Sequence, residues 1–351
     1  MADRLAWEGR SVLLTGHTGF KGTWLACMLK SRRAQIHGFA LDPETDSLFS
    51  TGAFDELLTS DVRADVADVD RVAAAVSEAR PEVVFHLAAQ PLVRESYKDP
   101  LVTMRTNVLG TVNVLEAVRN TACVKAVVIV TTDKVYRDAG SVDGYREGDP
   151  LGGHDPYSAS KAAADIITDS YRLSFARPGL AVATARAGNV LGGGDAARDR
   201  LVPDLIRAFR NSRSAQVRNP HSVRPWQHVL DPLTGYLVLA ENLLTGRSQG
   251  AWNFAPRQED QSPVATVASK LAELWGEGAS WAPATGEQPH ETKALTLDAT
   301  RASRELNWHP RLRLDDALSW TVRWWRSVDA GTNALDATLG QVEDYERLGS
   351  G

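Results

Sequence analysis

A tyrosine and a lysine four residues apart form the pair in this sequence best suited to acid–base chemistry. Tyr157 and Lys161 stand in a segment with the pattern of a long helix, residues 155–176. A spacing of four places both side chains on one helix face. An ammonium group near a phenol stabilises the phenolate and lowers the phenol pKa. Tyr157 is therefore predicted to remove a hydroxyl proton near neutral pH while hydride leaves the same carbon.

A second group of reactive side chains follows a short apolar run at residues 126–131. Thr132, Asp133 and Lys134 present a hydroxyl, a carboxyl and an ammonium in consecutive positions. Ligands of open α/β sheets bind outside the carboxyl ends of the strands, where this triplet is predicted to lie. A strand-end turn with solvated charges is the alternative, but the nearby Tyr157 motif favours a proton-handling set.

A glycine-rich loop stands between the first predicted strand, residues 11–15, and the first predicted helix, residues 22–31. Its glycines have the spacing G-x-x-G-x-x-G, which permits a tight turn and a close backbone approach to a pyrophosphate. An ordinary glycine turn is the alternative, and the strand before and helix after favour a dinucleotide site. The predicted cofactor contacts in this loop are Gly16, Thr18, Gly19, Phe20, Lys21 and Gly22.

Two acidic positions further along indicate which dinucleotide binds. Asp42 follows the second predicted strand, residues 35–41, where a carboxylate accepts hydrogen bonds from the adenosine ribose. The same carboxylate repels a 2′-phosphate, so NAD is favoured over NADP. Asp65 and Val66 are expected to frame the adenine. The alternatives are a turn residue before Pro43 for Asp42 and a nearby helix N-cap for Asp65.

The elements that must position these residues alternate between short apolar runs and amphipathic stretches. This alternation predicts an α/β fold, a Rossmann-like doubly wound parallel sheet with a smaller C-terminal substrate-binding lobe. Further strands are predicted at residues 83–87, 126–131 and 181–187, and further helices at 68–78 and 106–119.

The change in composition after residue 188 predicts the domain organisation. Residues 1–188 are predicted to form the NAD-binding domain, and the chain is expected to return to it near residues 228–244. Residues 189–328 are predicted to form mainly the substrate-binding lobe, and residues 329–351 a weakly ordered tail. The late tryptophans are expected to serve mainly as packing.

Composition excludes several other classes of protein. The 39 basic and 44 acidic residues give a net charge of −5, so no overall basic excess supports nucleic-acid binding. Two cysteines, Cys27 and Cys123, cannot build a disulfide framework and favour a cytoplasmic location. No apolar run reaches the ~18 residues of a membrane span, and the first nine residues do not resemble a signal peptide. No metal site is expected, and His86 is predicted to be a hydrogen-bonded core residue rather than a ligand.

Several motifs together resemble the extended short-chain dehydrogenase/reductase family. They are the glycine loop, Leu87-Ala-Ala-Gln90, Thr106-Asn-Val108, Tyr157-x-x-x-Lys161 and the C-terminal stretch from Glu305 to Pro310. Members of that family that act on nucleotide sugars are epimerases and 4,6-dehydratases. The Thr-Asp-Lys triplet is similar to that of the branch acting on CDP-glucose. The sequence departs from that branch at Val135, Arg137, Asp138 and Ala196, which bears on base or sugar preference more than on reaction type.

The resemblance implies a dehydration by C4 oxidation, loss of water across C5 and C6, and return of hydride to C6. Tyr157 would take the 4-hydroxyl proton, Thr132 would hold that oxygen, and Asp133 with Lys134 would eliminate water, their acid and base roles left open. Further predicted cofactor contacts are Leu87, Ala88, Ala89, Asn107, Thr131 and Lys161. The predicted substrate contacts are Gln90, Arg94, Asn189, Arg200, Arg224 and Trp226.

Other interpretations remain open at this point. Each of the three arginines is alternatively a surface charge, and Trp226 alternatively a core residue. The protein is alternatively an NAD-dependent epimerase, a dehydratase for another nucleotide sugar, or a catalytically silent NAD-binding regulator. Family resemblance also implies a homodimer through the helices at residues 106–119 and 155–176.

Overall fold

Strands and helices alternate through the first half of the chain. The structure is a computed structural model that describes residues 6–138, 143–285 and 296–349. In order the elements are β1 (Ser11–Thr15), α1 (Phe20–Ser31), β2 (Gln35–Ala40), β3 (Ser60–Arg63), α2 (Val69–Ala79), β4 (Val83–His86), α3 (Val93–Lys98), α4 (Pro100–Met104), α5 (Gly110–Arg119), β5 (Ala126–Val130), α6 (Pro156–Ser174) and β6 (Ala181–Ala187).

The second half is less regular and contains shorter strands. Its elements are β7 (Val190–Leu191), α7 (Leu201–Arg210), β8 (Ala215–Val217), β9 (Val223–Pro225), β10 (Gln227–His228), α8 (Leu230–Leu244), β11 (Gly250–Phe254), β12 (Gln261–Pro263), α9 (Val264–Trp275), β13 (Trp281–Pro283), α10 (Thr300–Leu306), α11 (Leu314–Asp329) and α12 (Ala334–Leu348). None of the helices that the structure describes has the length and apolar content that a membrane span needs.

Seven parallel strands form the central sheet in the order β11-β6-β5-β4-β1-β2-β3. The strand order reverses at β1, which pairs with β2 on one side and with β4 on the other. In open parallel sheets this reversal opens a crevice at the carboxyl ends of the strands, where ligands bind. The predicted Rossmann-like fold is confirmed.

Helices cover both faces of this sheet because its central strands are apolar throughout. All five residues of β5, Ala-Val-Val-Ile-Val, are buried. One face packs against α1 and α8, and the other packs against α2 and α5. Helix α6 begins with a capping box in which Asp155 and Ser158 each bond the other's backbone, and Pro156 occupies its first turn.

A separate apolar cluster holds the C-terminal lobe together. It joins α7, α9 and α11 around buried side chains that include Phe209, Leu271 and Trp275. The late tryptophans Trp252 and Trp324 are also buried, in the main core. The lobe is not contiguous in sequence, because α8 packs against β5 and β6 and β11 pairs with β6. The domain boundaries given above stay a prediction.

The C-terminal segment corrects one expectation and completes the main core. Residues 329–351 were expected to form a weakly ordered tail, whereas residues 334–348 form helix α12. Ala334, Val342 and Tyr345 are almost completely buried in the core that contains α1. The polar face of α12 hides this pattern in the sequence, because its apolar residues are few and widely spaced.

Candidate active site

The glycine loop forms a cradle that no side chain larger than hydrogen can enter. Gly16 has a φ of 74°, and a Cβ there would lie 2.6 Å from the backbone nitrogen of Ala88. A Cβ on Gly22 would lie 2.1 Å from the carbonyl oxygen of Gly16. Helix α1 starts after Gly19, and no side chain caps its first turn. Its N–H groups therefore suit a pyrophosphate, and the loop fits a dinucleotide.

Residues at the adenosine end of the crevice follow β2 and β3. Asp42 is exposed two residues after β2, and the hydroxyl of Thr18 donates to the carbonyl oxygen of Leu41 at 3.1 Å. Both carboxylate oxygens of Asp65 already have partners, Arg105 at 2.7 Å and the backbone N–H of Ala67 at 2.9 Å. Asp42 is therefore freer than Asp65 to accept hydrogen bonds from a ligand.

The loop after β4 is held in place by Asn107, which was predicted to contact the cofactor. Its Oδ1 accepts from the backbone N–H of Gln90 at 2.8 Å, and its Nδ2 donates to the carbonyl oxygen of Gln90 at 3.1 Å. The same Nδ2 also donates to Ser160 of α6 at 2.8 Å. Asn107 therefore fixes the backbone of Gln90 against α6, and its contact with the cofactor stays a prediction.

The loop itself follows β4 beside the glycine cradle. The backbone N–H groups of Leu87 and Ala88 both lie 3.2 Å from the hydroxyl oxygen of Thr15. The side chain of Gln90 is committed locally, to the backbone N–H of Leu92 and to Thr103. Ala88 and Ala89 are half-buried, so this loop offers mainly backbone and small side chains.

The reactive triplet and the tyrosine meet at the carboxyl end of β5. The Thr132 hydroxyl donates to Asp133 Oδ1 at 2.8 Å, and it lies close enough to the phenol of Tyr157 to lower the pKa of that phenol. Asp133 is almost fully buried, and its Oδ2 has no hydrogen-bond partner. Burial raises the pKa of Asp133, against the opposing influence of Lys134 and Thr132. The fold therefore brings one hydroxyl, one phenol and one carboxyl close together in space.

The expected effect of Lys161 on Tyr157 is not found in this geometry. Burial raises the pKa of Tyr157 to about 12, and Lys161 is not among the groups that lower it. Lys161 Nζ donates instead to the carbonyl oxygen of Val130 at 3.0 Å. Burial and nearby Lys21 lower the pKa of Lys161 to about 8, while Asp165 opposes them. Burial is thus the dominant influence on both groups.

Lys21 of the glycine loop approaches the reactive triplet. Burial and nearby Arg200 together lower its pKa to about 8, against the opposing influence of Asp133 and Asp195. The ammonium of Lys21 therefore lies on the catalytic side of the crevice. Phe20, its neighbour in the loop, packs against the main apolar core.

The predicted substrate residues differ in the contacts that their side chains already make. Arg94 pairs with Asp199 at 3.4 Å, and Arg200 pairs with Asp195 at 3.3 Å. Arg224 donates to its neighbouring Val223 carbonyl and is close enough to Asp133 to lower its pKa. Asn189 is half-buried after β6. Arg94 and Arg200 are thus held by carboxylates, and Arg224 lies near the triplet.

Two aromatic residues that the sequence singled out belong to the core. Trp226 was predicted to contact substrate, but it packs in the lobe's apolar cluster and its Nε1 donates to the carbonyl oxygen of Ser262 at 3.0 Å. His86 is hydrogen-bonded to Thr15 and Thr111, as expected of a core histidine. Within the described part of the chain no cluster of histidine, cysteine and acidic residues is suited to a metal ion.

Sequence reasoning missed a buried ion pair beneath the triplet. Asp165 of α6 and Arg186 of β6 pair at 2.7 Å, each only 3% exposed. The hydroxyl of Thr131, predicted to touch the cofactor, donates to Asp165 at 3.0 Å. Two features of the sequence could have indicated this ion pair: an arginine inside an otherwise apolar strand, and an aspartate four residues after Lys161.

Comparison with known proteins places the chain in a family. Residues 13–321 match the family model described as GDP-mannose 4,6 dehydratase. The chain belongs to this family. The GDP-mannose 4,6 dehydratase family model spans both the seven-stranded sheet and most of the C-terminal lobe. The resemblance to extended short-chain dehydrogenases/reductases is confirmed.

Two similar sequences and one similar solved structure carry the names of nucleotide-sugar 4,6-dehydratases. A CDP-glucose 4,6-dehydratase of Salmonella typhimurium is 44% identical over 354 residues, 98% of each chain. A dTDP-glucose 4,6-dehydratase of Streptomyces antibioticus is 28% identical, with 90% of this chain and 92% of that one aligned. The solved dTDP-glucose 4,6-dehydratase of Bacillus anthracis in complex with NAD has the same fold, with a TM-score of 0.77 at 23% identity over 93% of this chain and 100% of that one.

Proposed function

We propose that this chain is an NAD-dependent nucleotide-sugar 4,6-dehydratase that converts CDP-glucose to CDP-4-keto-6-deoxyglucose and water. The observation that carries the proposal is the buried Thr132–Asp133 pair against Tyr157, beside Lys134. Oxidising a sugar hydroxyl with NAD as the hydride acceptor asks only the phenol and the threonine of the protein's side chains. A carboxyl and an amine beside them add the means to eliminate water. The 44% identity to a CDP-glucose 4,6-dehydratase supports the choice of reaction and of substrate.

The glycine cradle and its neighbours would hold NAD. Gly16 and Gly22 would leave room for the pyrophosphate, the N–H groups at the start of α1 would bind it, and Asp42 would accept from the adenosine ribose. NAD, when bound, takes a hydride from C4 of the sugar and gives it back at C6. Because the cofactor ends each cycle unchanged, the protein needs no second nucleotide substrate.

We assign the proton transfer of the C4 oxidation to Tyr157 and the binding of the C4 oxygen to Thr132. Tyr157 removes the proton of the 4-hydroxyl, and the Thr132 hydroxyl holds the same oxygen. The nearby Thr132 lowers the phenol pKa against the raising influence of burial. The ketone formed at C4 makes the C5 proton acidic, so oxidation has to come before elimination.

We assign the elimination of water across C5 and C6 to Asp133 and Lys134. Burial raises the pKa of Asp133, which favours its protonated form. A protonated carboxyl with a free Oδ2 can donate a proton to the departing 6-hydroxyl. We therefore assign the general acid to Asp133 and removal of the C5 proton to Lys134, a choice that the sequence alone left open.

The diphosphate of the substrate needs donors near the triplet. Arg224 and Arg200 lie close enough to Asp133 and Lys21, respectively, to affect their pKa values, and Arg94 pairs with Asp199, the neighbour of Arg200. Guanidinium binds phosphate oxygens through two parallel hydrogen bonds. Asn189 and Gln90 complete the predicted substrate contacts.

The same proposal includes a homodimer and a cytoplasmic location. Large apolar side chains on α4 and α6 are exposed, among them Leu101 at 76%, Ile166 at 55% and Leu173 at 65%. An apolar face of this kind supports a partner helix pair across a twofold axis. Cys27 and Cys123 are free thiols, which supports a reducing compartment.

A product assay tests the proposal. The purified protein is incubated with CDP-, dTDP-, UDP- and GDP-hexoses, and product masses are measured. Loss of one water from CDP-glucose is expected, and an unchanged mass with a changed sugar would indicate an epimerase. Tyr157→Phe serves as the matched inactive variant. If wild-type protein converts no nucleotide sugar, a silent NAD-binding regulator replaces the enzyme.

A further inference from the structure

One buried ion pair is hydrogen-bonded to residues on both sides of the reactive triplet. Asp165 and Arg186 face each other through two contacts, Arg186 Nε to Oδ2 at 2.8 Å and Nη2 to Oδ1 at 2.7 Å. This is the two-pronged geometry in which guanidinium and carboxylate bind most strongly. The pair lies between α6 and β6, below the floor of the crevice.

The carboxylate of this pair holds the residue that precedes the triplet. Thr131 Oγ1 donates to Asp165 Oδ2 at 3.0 Å. Thr184 of β6 donates to the other oxygen, Oδ1, at 3.2 Å. Asp165 thus accepts from two hydroxyls and one guanidinium, and only Thr131 belongs to the catalytic strand end.

The guanidinium holds the residue that follows the turn after the triplet. Arg186 Nη1 donates to the phenol oxygen of Tyr136 at 2.7 Å and to the carbonyl oxygen of Glu147 at 3.0 Å. The Tyr136 hydroxyl in turn donates to Asn253 Oδ1 at 2.7 Å. The guanidinium carbon also lies 5.0 Å from the centre of the Tyr136 ring. Tyr136 is therefore fixed by polar contacts and by stacking together.

We propose that Asp165 and Arg186 are positioning residues that hold residues 132–135 at both ends, through Thr131 and Tyr136. The triplet leaves β5 and enters a short turn in which the bonds donated by the backbone are long: the N–H of Lys134 lies 3.4 Å from Thr132 Oγ1, and the N–H of Val135 lies 3.4 Å from the carbonyl oxygen of Thr132. Without external anchors, such a turn would not hold reacting groups to the accuracy that catalysis requires. The inference rests on the proposed function for its catalytic consequence, though not for its structural part.

Removing either charged residue is a poor test, because an unpaired buried charge destabilises the whole fold. Thr131→Val and Tyr136→Phe are better, since each deletes one anchoring hydroxyl and leaves the ion pair intact. Thr184→Val is the matched control: it deletes a hydroxyl bonded to the same carboxylate from a residue that does not flank the triplet.

The first measurement is turnover of the nucleotide sugar, with NAD content checked in each variant. Thr131→Val and Tyr136→Phe are expected to lower kcat about tenfold with KM nearly unchanged. Thr184→Val is expected to keep the wild-type kcat while losing as much thermal stability as Thr131→Val. Equal kcat in Thr131→Val and Thr184→Val would reduce Thr131 to a structural role and overturn the inference.

The second measurement does not depend on turnover. Amide hydrogen exchange at residues 132–136 is expected to speed up in Thr131→Val and Tyr136→Phe, and not in Thr184→Val. Unchanged exchange in the first two variants would refute the anchoring. If wild-type protein converts no nucleotide sugar, the proposed function fails, and the exchange comparison still decides whether the ion pair fixes this segment.

Discussion

The ammonium of Lys161 donates a hydrogen bond to the carbonyl oxygen of Val130 at 3.0 Å. This contact joins the middle of α6 to the last residue of β5, directly below the reactive triplet. It places a positive charge at the carboxyl end of a buried strand. Lys21 and His86 also lie close enough for their charges to interact with that of Lys161, and Asp165 is the carboxylate that faces it.

These surroundings predict the pH dependence of catalysis. Tyr157 must be ionised to act, and burial raises its pKa to about 12. Lys161 must stay protonated to keep a positive charge at the end of β5, where it donates to Val130, and burial lowers its pKa to about 8. The logarithm of kcat/KM should therefore rise with pH up to about 8 and level off above it. In Lys161→Met the overall rate should fall and the break near pH 8 should disappear. Exposed Lys125→Met should keep the wild-type profile, and a break retained in Lys161→Met would assign it to another group.

The two steps of the reaction should respond differently to changes in the triplet. Lys134→Ala is expected to block elimination more than the first hydride transfer, because Lys134 removes the C5 proton. Absorbance of reduced nicotinamide should then build up when substrate is added, while product formation falls by about 10²–10⁴-fold. Stopped-flow absorbance and quenched product analysis measure the two quantities. No build-up in either Lys134→Ala or Lys134→Glu would remove Lys134 from the elimination step.

Retention of NAD should depend on Asp42. Its carboxylate is exposed after β2 and is the acceptor available to the adenosine ribose, since Asp65 is bound to Arg105. Asp42→Ala is expected to leave the fold intact and to lower the NAD content of purified protein several-fold. Asp46→Ala, an exposed carboxylate four residues further on, is the control. An unchanged NAD content in Asp42→Ala would exclude this residue from the cofactor site.

Asp231 should make folding stability fall as the pH rises through a defined range. Burial raises its pKa from 3.8 to about 6, and its Oδ1 accepts from the Tyr345 hydroxyl at 2.6 Å. The folded state therefore binds the proton more tightly, and ionisation between pH 3.8 and about 6 lowers the free energy of unfolding by ~3 kcal/mol. Asp231→Asn should lack this loss. Chemical denaturation of both proteins at several pH values tests it, and parallel pH curves would contradict the assignment.

Helix α12 should be required for stability. Tyr345 is almost completely buried, and Arg311 donates to its carbonyl oxygen at 2.9 Å. Tyr345→Ala is expected to lower the free energy of unfolding by ~3–5 kcal/mol, and truncation after Asp329 to leave an aggregating chain. Exposed Leu348→Ala is the control. A truncated protein with wild-type thermal stability would show that α12 only rests on the surface.

The positions that sequence predicted well are those whose local chemistry determines their structure. The two strands predicted at residues 11–15 and 181–187 have those bounds in the structure. The glycine spacing led to Gly16 and Gly22 because only glycine fits against a crossing backbone. Tyr157 and the triplet followed from residue type and spacing, and Thr132 lies close enough to Tyr157 to lower its pKa.

The positions that sequence missed depend on contacts between distant segments. The partner of Arg186 lies 21 residues away and that of Asp231 lies 114 residues away. Asn107 and Trp226 carry residue types common in binding sites, yet tertiary packing uses them to fix a loop and to fill a core. Short elements such as β3, α3 and α4 were not predicted, because four to six residues give no clear periodicity.

Strand β11 comes last in the sequence among the strands of the central sheet, and this order affects the folding of the nascent chain. Residues 250–254 pair along β6, so the sheet stays open at that edge until most of the polypeptide has been synthesised. A nascent fragment ending near residue 188 would leave β6 with an unpaired row of backbone groups and an apolar flank that α8 normally covers. The nucleotide-binding half expressed alone should therefore fail to give folded protein, whereas the intact chain folds. A version of this protein split into two fragments would have to be divided after β11.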